Sequence, residues 1–532
     1  MKQRKKTLKL KKFNIHPIIG FIILSVITVL LSCILSKVQF QATYNEVNVN
    51  TLELETKLVT VENLLNFNGM KFIISNAAKN FAGFTPLSSL LIALIGLAIA
   101  SASGLIDAFA KRITINWKHT TQTFLVLLLA TISSLINDVG YVILIPLCAS
   151  LYKANKRNPM LGIITAFCGI TFGYGATIFV GSSEVALIPI TTSAARLVDA
   201  TFHVSLTSNI FIMILTTIIT SIVGTIVIEK IIAPKVGRIK QNEDDMATKE
   251  IDITQIKETE QNKIEIDVRE QKGLKKSLIW GIIFMILFAY MLIPGLPLSG
   301  MLLDKGENTY LRQLFGENAY FQDGFTYMIS LFFIVTGIAY GVSSKTIKNI
   351  KDLFNKCSSY LNNIGLLLVM IFFASQFVSI FKKSNIGNVI VALSSRIISH
   401  LPFSGVPLII IVMLMVAICS IFVTTANTKW SILAPVVVPL MMQSNISPQF
   451  AQFILRAADS MTKGITPLLA YFVIYVGYLN IHNNKEGDTI SIKKSISYVM
   501  PYCLIMALCW ILIIIGWYIL GAPIGLGVSS TL

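Results

Sequence analysis

The sequence predicts an all-α integral membrane protein with inverted internal repeats, about nine transmembrane helices and two re-entrant hairpins. Three observations carry that expectation. Hydrophobic residues make up 54% of the 532-residue chain and charged residues only 13%, where a soluble domain carries about 25% charged residues. Apolar runs recur along the chain at about the ~20 residues a bilayer-spanning helix needs. Two of these runs, one in each half, are interrupted near the middle by polar groups. They are S-S-L-I-N-D-V-G-Y-V-I-L-I-P-L from Ser133 to Leu147, and S-I-F-V-T-T-A-N-T-K-W-S-I-L-A-P-V-V-V-P-L from Ser420 to Leu440.

The two interruptions match without a gap when Pro146 is set over Pro435. Asp138 then falls on Asn427, Tyr141 on Trp430, Leu144 on Leu433 and Ile145 on Ala434. Interrupted apolar segments in corresponding positions of two halves are the sequence mark of a carrier built from repeats. Hydrocarbon satisfies no free N–H or C=O, so irregular backbone at that depth has to line a cavity enclosed by protein.

Taken in order, Met1–Lys12 holds seven Lys and Arg. Pro17–Ser36 follows as an apolar run too long for a signal-peptide core and without a cleavage site, so it reads as an uncleaved first span with its basic end in the cytoplasm. Lys37–Phe84 reads as an outer loop. The second span covers Leu87–Ala110 and ends at Lys111 and Arg112. The first hairpin, 123–150, lies between basic clusters that place both its ends inside. Leu161–Val180 is a glycine-rich third span running into G-S-S-E at Gly181–Glu184 and on to Ile190, and Asn209–Ile228 is the fourth. The first membrane half is thus 17–228, after a basic N-terminus at 1–16.

Residues 229–276 carry eleven basic and eleven acidic residues, a solvated cytoplasmic connector. The second half, 277–522, repeats the plan with spans at Leu278–Leu296, Phe325–Tyr340 and Ile364–Phe381, with Pro297–Asp323 an outer loop. A second hairpin, 404–440, enters from the opposite side. Gln449–Tyr478 crosses through a further break at G-I-T-P, Gly464–Pro467, and Val499–Leu520 ends outside, leaving 523–532 as an outer tail.

The net charge of +17 follows from basic residues crowding the span ends, as in cytoplasmic loops, and does not call for nucleic acid. No metalloprotease, nucleophile-elbow or Walker signature occurs, which argues against an enzyme or an ATP-driven pump. The seven cysteines form no C-x-x-C pair and lie mostly in apolar runs. The five histidines lie near span ends or in loops, away from the breaks.

Ionisable residues at membrane depth cost roughly 2.5–3.5 kcal/mol each on insertion scales, so each should face a partner or water. Asp138, Glu184, Lys429, Arg456, Asp459 and Lys463 all lie in or beside the four breaks. Arg456, Asp459 and Lys463 are spaced to form a helix-face ion ladder. The functional reading has Asp459 binding a coupling cation or proton, with Arg456 holding it or gripping an anionic substrate through its planar fork. Asn427 and its threonine neighbours offer neutral oxygens to a hard cation or form a polar turn. Trp430 and Tyr141 either flank a ring-bearing substrate or pack in the core. Lys429 reads as a residue free to snorkel outward.

The chain resembles the p-aminobenzoyl-glutamate transporter (AbgT) family from about Asn66 onward. The resemblance rests on N-D-V-G-Y-V-I-L-I-P-L at Asn137, G-I-A-Y-G at Gly337, F-F-A-S-Q-F at Phe372, T-K-W-S-I-L-A-P at Thr428 and R-A-A-D-S-M-T-K-G-I-T-P at Arg456. It implies an elevator-type member of the ion-transporter superfamily. It further implies a homodimer in the cell membrane that carries p-aminobenzoyl-glutamate or exports sulfonamide-type antimetabolites, coupled to sodium or protons. Functional positions so implied are Glu184, Asn427, Trp430, Pro448, Arg456, Asp459 and Pro467. Asp138 joins the substrate set, and Ser134 and Ser420 the coupling set, with sodium expected at Ser420 and Asp459. Glu184 stands where that family has Asp, Asn427 where it has Ser, and Ser134 and Ser420 where it has Asn, which removes two carbonyl oxygens suited to a cation. The other readings are a dicarboxylate or other organic-anion symporter of the same superfamily, and a channel.

Overall fold

The computed structural model describes residues 15–47, 53–114, 117–136, 138–237, 253–316, 318–483 and 489–532, with the side chains of 113, 114, 253–267 and 363 left aside. The basic N-terminus before residue 15, Asn137 and residues 238–252 of the charged connector therefore lie outside the described residues. Helices begin where local chemistry favours it. Pro17, Pro159 and Pro448 each open a helix, preceded by His16, Asn158 and Ser447, whose side chains accept from free backbone N–H groups of the first turn. Proline suits that position because its missing N–H has no helical partner to lose.

Nine helices among the described residues are long and apolar enough to cross a membrane: Pro17–Lys37, Thr85–Ala102, His119–Ile136, Ile210–Val236, Val268–Leu292, Tyr320–Ser343, Gly365–Lys383, Gly405–Phe422 and Ile492–Leu520. The number is the expected one, but the membership differs. His119–Ile136 and Gly405–Phe422 are the first arms of the two segments expected as hairpins. The segments at 161–190 and 449–478, each expected to carry a break, are split, the first into Pro159–Phe172 and Ser182–Ala195 with its gap at 173–181 rather than at Gly181–Glu184, the second into Pro448–Thr462 and Phe472–Ile481. Glycine and polar residues at each midpoint cost these segments a continuous helix.

Other boundaries also move. The expected second span divides at Gly104, whose φ of 87° ends Thr85–Ala102 before Leu105–Thr114 begins; only glycine takes that conformation freely. The expected loop at 37–84 contains an antiparallel pair, β1 (Gln41–Val47) and β2 (Leu54–Thr60), in the register Gln41 to Thr60, and two short helices. The second half of the connector is helical and continues into the next span as Ile253–Leu292.

Three helices, Thr85–Ala102, Tyr320–Ser343 and Val268–Leu292, form one layer. Small residues bring the first two together: the Ser330 hydroxyl donates to Ile92 O at 2.7 Å, and Gly96 N donates to Ser330 Oγ at 3.1 Å. Such close approach replaces the hydrophobic drive that lipid cannot supply. A Cβ on Gly96 would lie 2.5 Å from Ser330 O. Gly96→Ala is expected to lower stability by about 1–3 kcal/mol, as overpacking does; a thermal melt in detergent unchanged from wild type would disprove this contact. Val268–Leu292 and Pro17–Lys37 keep most of their apolar side chains on the outside of the chain.

The two split segments sit at the centre. The first pair of interrupted helices, His119–Ile132 and Val139–Ala154, packs with Pro159–Phe172, and Phe472–Ile481 packs on both of these last two helices. The second pair, Gly405–Phe422 and Ala426–Gln443, packs with Ser182–Ala195 and Pro448–Thr462. Each split segment thus gives one half to each pair, and the segments cross at their breaks.

Candidate functional site

The crossing point is held by polar contacts between the breaks. Gly175 N donates to Ser460 Oγ at 2.6 Å, and a Cβ on Gly175 would lie 3.0 Å from Arg456 O, so glycine permits the approach. Arg456, buried, forms an ion pair with Glu184 and donates from Nη2 to Tyr174 O at 2.7 Å. Glu184 also accepts from Gly181 N at 3.0 Å through its other carboxylate oxygen. A carboxylate in the first turn of Ser182–Ala195 complements the free N–H groups there.

Three residues past Arg456, Asp459 faces the second interrupted pair. Lys429 forms an ion pair with it, and both are fully buried. Lys429 Nζ also donates to Ser420 Oγ at 2.7 Å, and that oxygen lies 2.5 Å from Asp459 Oδ1. Lys429 therefore does not snorkel outward: its ammonium is held by a buried carboxylate. The expected ladder of Arg456, Asp459 and Lys463 is also not the pairing observed. Arg456 turns to Glu184, Asp459 turns to Lys429, and Lys463 places its ammonium 4.0 Å from the centre of the Tyr174 ring. Tyr174 also has the Arg456 guanidinium 5.4 Å from its ring centre, so one electron-rich ring serves two cations.

The repeat-related pair Tyr141 and Trp430 shares one role. Tyr141 donates its hydroxyl to Thr171 Oγ1 at 3.2 Å, and Trp430 donates Nε1 to Thr191 Oγ1 at 2.8 Å. Thr171 and Thr191 lie on either side of the same break. Thr191 continues to Gln452 Oε1 at 2.6 Å. Tyr141 stacks on Tyr471 at 5.0 Å. Both aromatic residues are buried in this state, and neither lines the cavities described below.

The remaining expected residues are spread more widely. Ser134 Oγ is 2.8 Å from Thr131 O and 3.3 Å from Ala176 O, joining the first interrupted pair to the first break. Asp138 is half-buried at the start of Val139–Ala154. Pro467 follows Thr466, whose hydroxyl donates to Ile421 O at 2.8 Å. Pro448 opens its helix beside the C-terminal strands, eight residues and so about 12 Å along the axis from Arg456; it shapes the helix start.

Asn427 is exposed and lines a cavity of about 1070 Å³. The first turns of Ser182–Ala195 and of Ala426–Gln443 contribute Ser182, Asn427 and Thr428 to its lining, and Ser431 lies one turn further on. Glu46 of β1 and Glu307, Arg312 and Asp323 of the 300–323 segment line it as well. A second cavity, of about 300 Å³, lies against Val423, Thr424 and Thr425, and Thr428 and Asn388 border both. The tip of the second pair is therefore the partition between two cavities. Sequence reasoning missed Tyr174, Thr191 and Gln452. Only Tyr174 carried a signal, standing between Gly173 and Gly175.

A model described as the "AbgT putative transporter family" matches residues 12–532. The p-aminobenzoyl-glutamate transport protein of Escherichia coli (strain K12) is 28% identical over 518 residues, covering 97% of this chain and 94% of that one. Two solved structures are similar. The YdaH transporter of Alcanivorax borkumensis is 26% identical, covering 96% of this chain and 100% of its own, with a TM-score of 0.46. MtrF of Neisseria gonorrhoeae, described with a class of antimetabolite efflux pumps, is 28% identical over 97% of this chain and 98% of its own, with a TM-score of 0.46.

Proposed function

Because the chain belongs to the AbgT family of multi-pass membrane transporters, we propose that it is a secondary active carrier for p-aminobenzoyl-glutamate or a related aromatic anion, sulfonamide-type antimetabolites included. The observation that carries this reading is the convergence of two helix N-terminal turns on one cavity. The partial positive charge of a helix N-terminus favours an anion, and half-helix ends at a repeat interface are where carriers bind substrate. The cavity volume is of the size that holds a drug-like solute. The name of the Escherichia coli relative supports the substrate class.

In this reading Asn427 meets the solute first, and Trp430 and Arg456 join as the second pair moves. Glu184, Asp459, Ser134 and Ser420 couple a cation or proton to that motion. The layer of Thr85–Ala102, Tyr320–Ser343 and Val268–Leu292 is the fixed wall of an elevator-type cycle, and the carrier works as a homodimer. Its N-terminus and the charged connector face the cytoplasm and its C-terminus faces outside, following the basic residues.

The test is uptake of labelled p-aminobenzoyl-glutamate into proteoliposomes under sodium and proton gradients imposed separately. Gradient-driven uptake is expected. Its absence for this solute and for sulfonamides would overturn the substrate assignment. Asn427→Ala is expected to raise KM at least severalfold with an unchanged melting temperature, because Asn427 is exposed to the cavity and holds no buried contact. An unchanged KM would remove Asn427 from the site.

A further inference from the structure

We propose that the Lys429 ammonium is a tethered cation that fills the position between Ser420 and Asp459, so that this carrier binds and moves its substrate without sodium. The inference narrows the coupling ion of the carrier described above and rests on that reading.

Ser420 and Asp459 are the oxygens a sodium ion would need at the second break, and they do not fit one here. Lys429 Nζ lies 2.7 Å from Ser420 Oγ and is ion-paired with Asp459 Oδ1. Ser420 Oγ is also 2.5 Å from Asp459 Oδ1, so the three atoms close a triangle with the ammonium at one corner. A sodium ion in the same place would displace the ammonium or stand against it, with no water to screen two positive charges.

Sequence position explains why the ammonium is the occupant. Lys429 lies in the first turn of Ala426–Gln443, directly after the extended tip Val423–Thr425, and its side chain lies back against Ser420 at the end of the preceding helix. Its compact charge and three donors suit a small oxygen cage. One amine thereby ties both arms of the second pair to the second split segment. Asp459 Oδ2 is buried without a hydrogen-bond partner among the described residues, and the Val416 carbonyl lies 2.7 Å from Ser420 Oγ. Shortening residue 429 would leave a group of oxygens with no cation among them.

The test is equilibrium binding of radiolabelled sodium to the purified full-length protein in detergent, a readout that needs no knowledge of the substrate. Wild type and Lys429→Arg, which keeps the charge, are expected to show no saturable binding. Lys429→Ser is expected to gain saturable binding, and the double variant Lys429→Ser, Asp459→Ala to lose it again. Saturable sodium binding by wild type, or a folded Lys429→Ser that binds none, would overturn the proposal. If Lys429→Ser does not fold, replacement of sodium by choline during wild-type uptake decides: unchanged uptake supports the proposal, and lost uptake overturns it. A protein that binds no sodium yet transports neither solute would leave this inference standing and the substrate assignment fallen.

Discussion

Asp459→Ala is expected to abolish gradient-driven uptake and to destabilise the protein by about 3–5 kcal/mol, the usual cost of removing one partner of a buried ion pair. Lys429 would be left fully buried with Ser420 Oγ as its one remaining acceptor among the observed contacts. The loss of transport and the loss of stability separate in a second variant. Replacing both charges, Lys429→Met with Asp459→Leu, is expected to recover most of the melting temperature, because apolar groups of similar volume commonly replace a buried pair at no cost. Transport should stay absent in that variant, since the carboxylate that links the second pair to the split segment is gone. Thermal melts in detergent and uptake in proteoliposomes read the two effects. An Asp459→Ala protein as stable as wild type would show that the buried pair is not what holds Lys429 in place.

Arg456→Lys is expected to reduce uptake by about 10–100-fold, the equivalent of about 1.4–2.8 kcal/mol, despite keeping the charge. The guanidinium makes two contacts in different directions: the ion pair with Glu184 on one split segment's second half, and the bond to Tyr174 O in that segment's break. A lysine ammonium is a point charge on a flexible stem and cannot reproduce a planar fork. Arg456→Ala should cost more, because Glu184 would then be a buried carboxylate with only Gly181 N to satisfy it. Equal uptake by Arg456→Lys and wild type would mean that charge alone matters at the crossing.

Glu184 shows how one methylene is used. Its carboxylate both caps the turn at Gly181 and reaches Arg456 across the crossing. The sequence showed a carboxylate beside a break, without a partner for it. For Arg456, spacing favoured Asp459, three residues away on the same helix. The crossing brought Glu184 nearer to the guanidinium, and Lys429 took Asp459.

What the sequence determined by itself was the class and the location. Apolar composition, run length and the matched interruptions around Asp138 and Asn427 are local properties, and so is the break at Gly464–Pro467; the other break was expected at Gly181–Glu184 and lies just before it, at 173–181. The repeat alignment even paired Tyr141 with Trp430, which the structure shows bonded to threonines on either side of one break. Only the tertiary structure decided which charge meets which, because that depends on two split helices crossing with glycine contact at Gly175. It also decided that Lys429 turns inward. A lysine beside a membrane break can reach water or a carboxylate with equal ease on its own helix, and the choice was made by Asp459, thirty residues further along the chain, arriving at the same point in space.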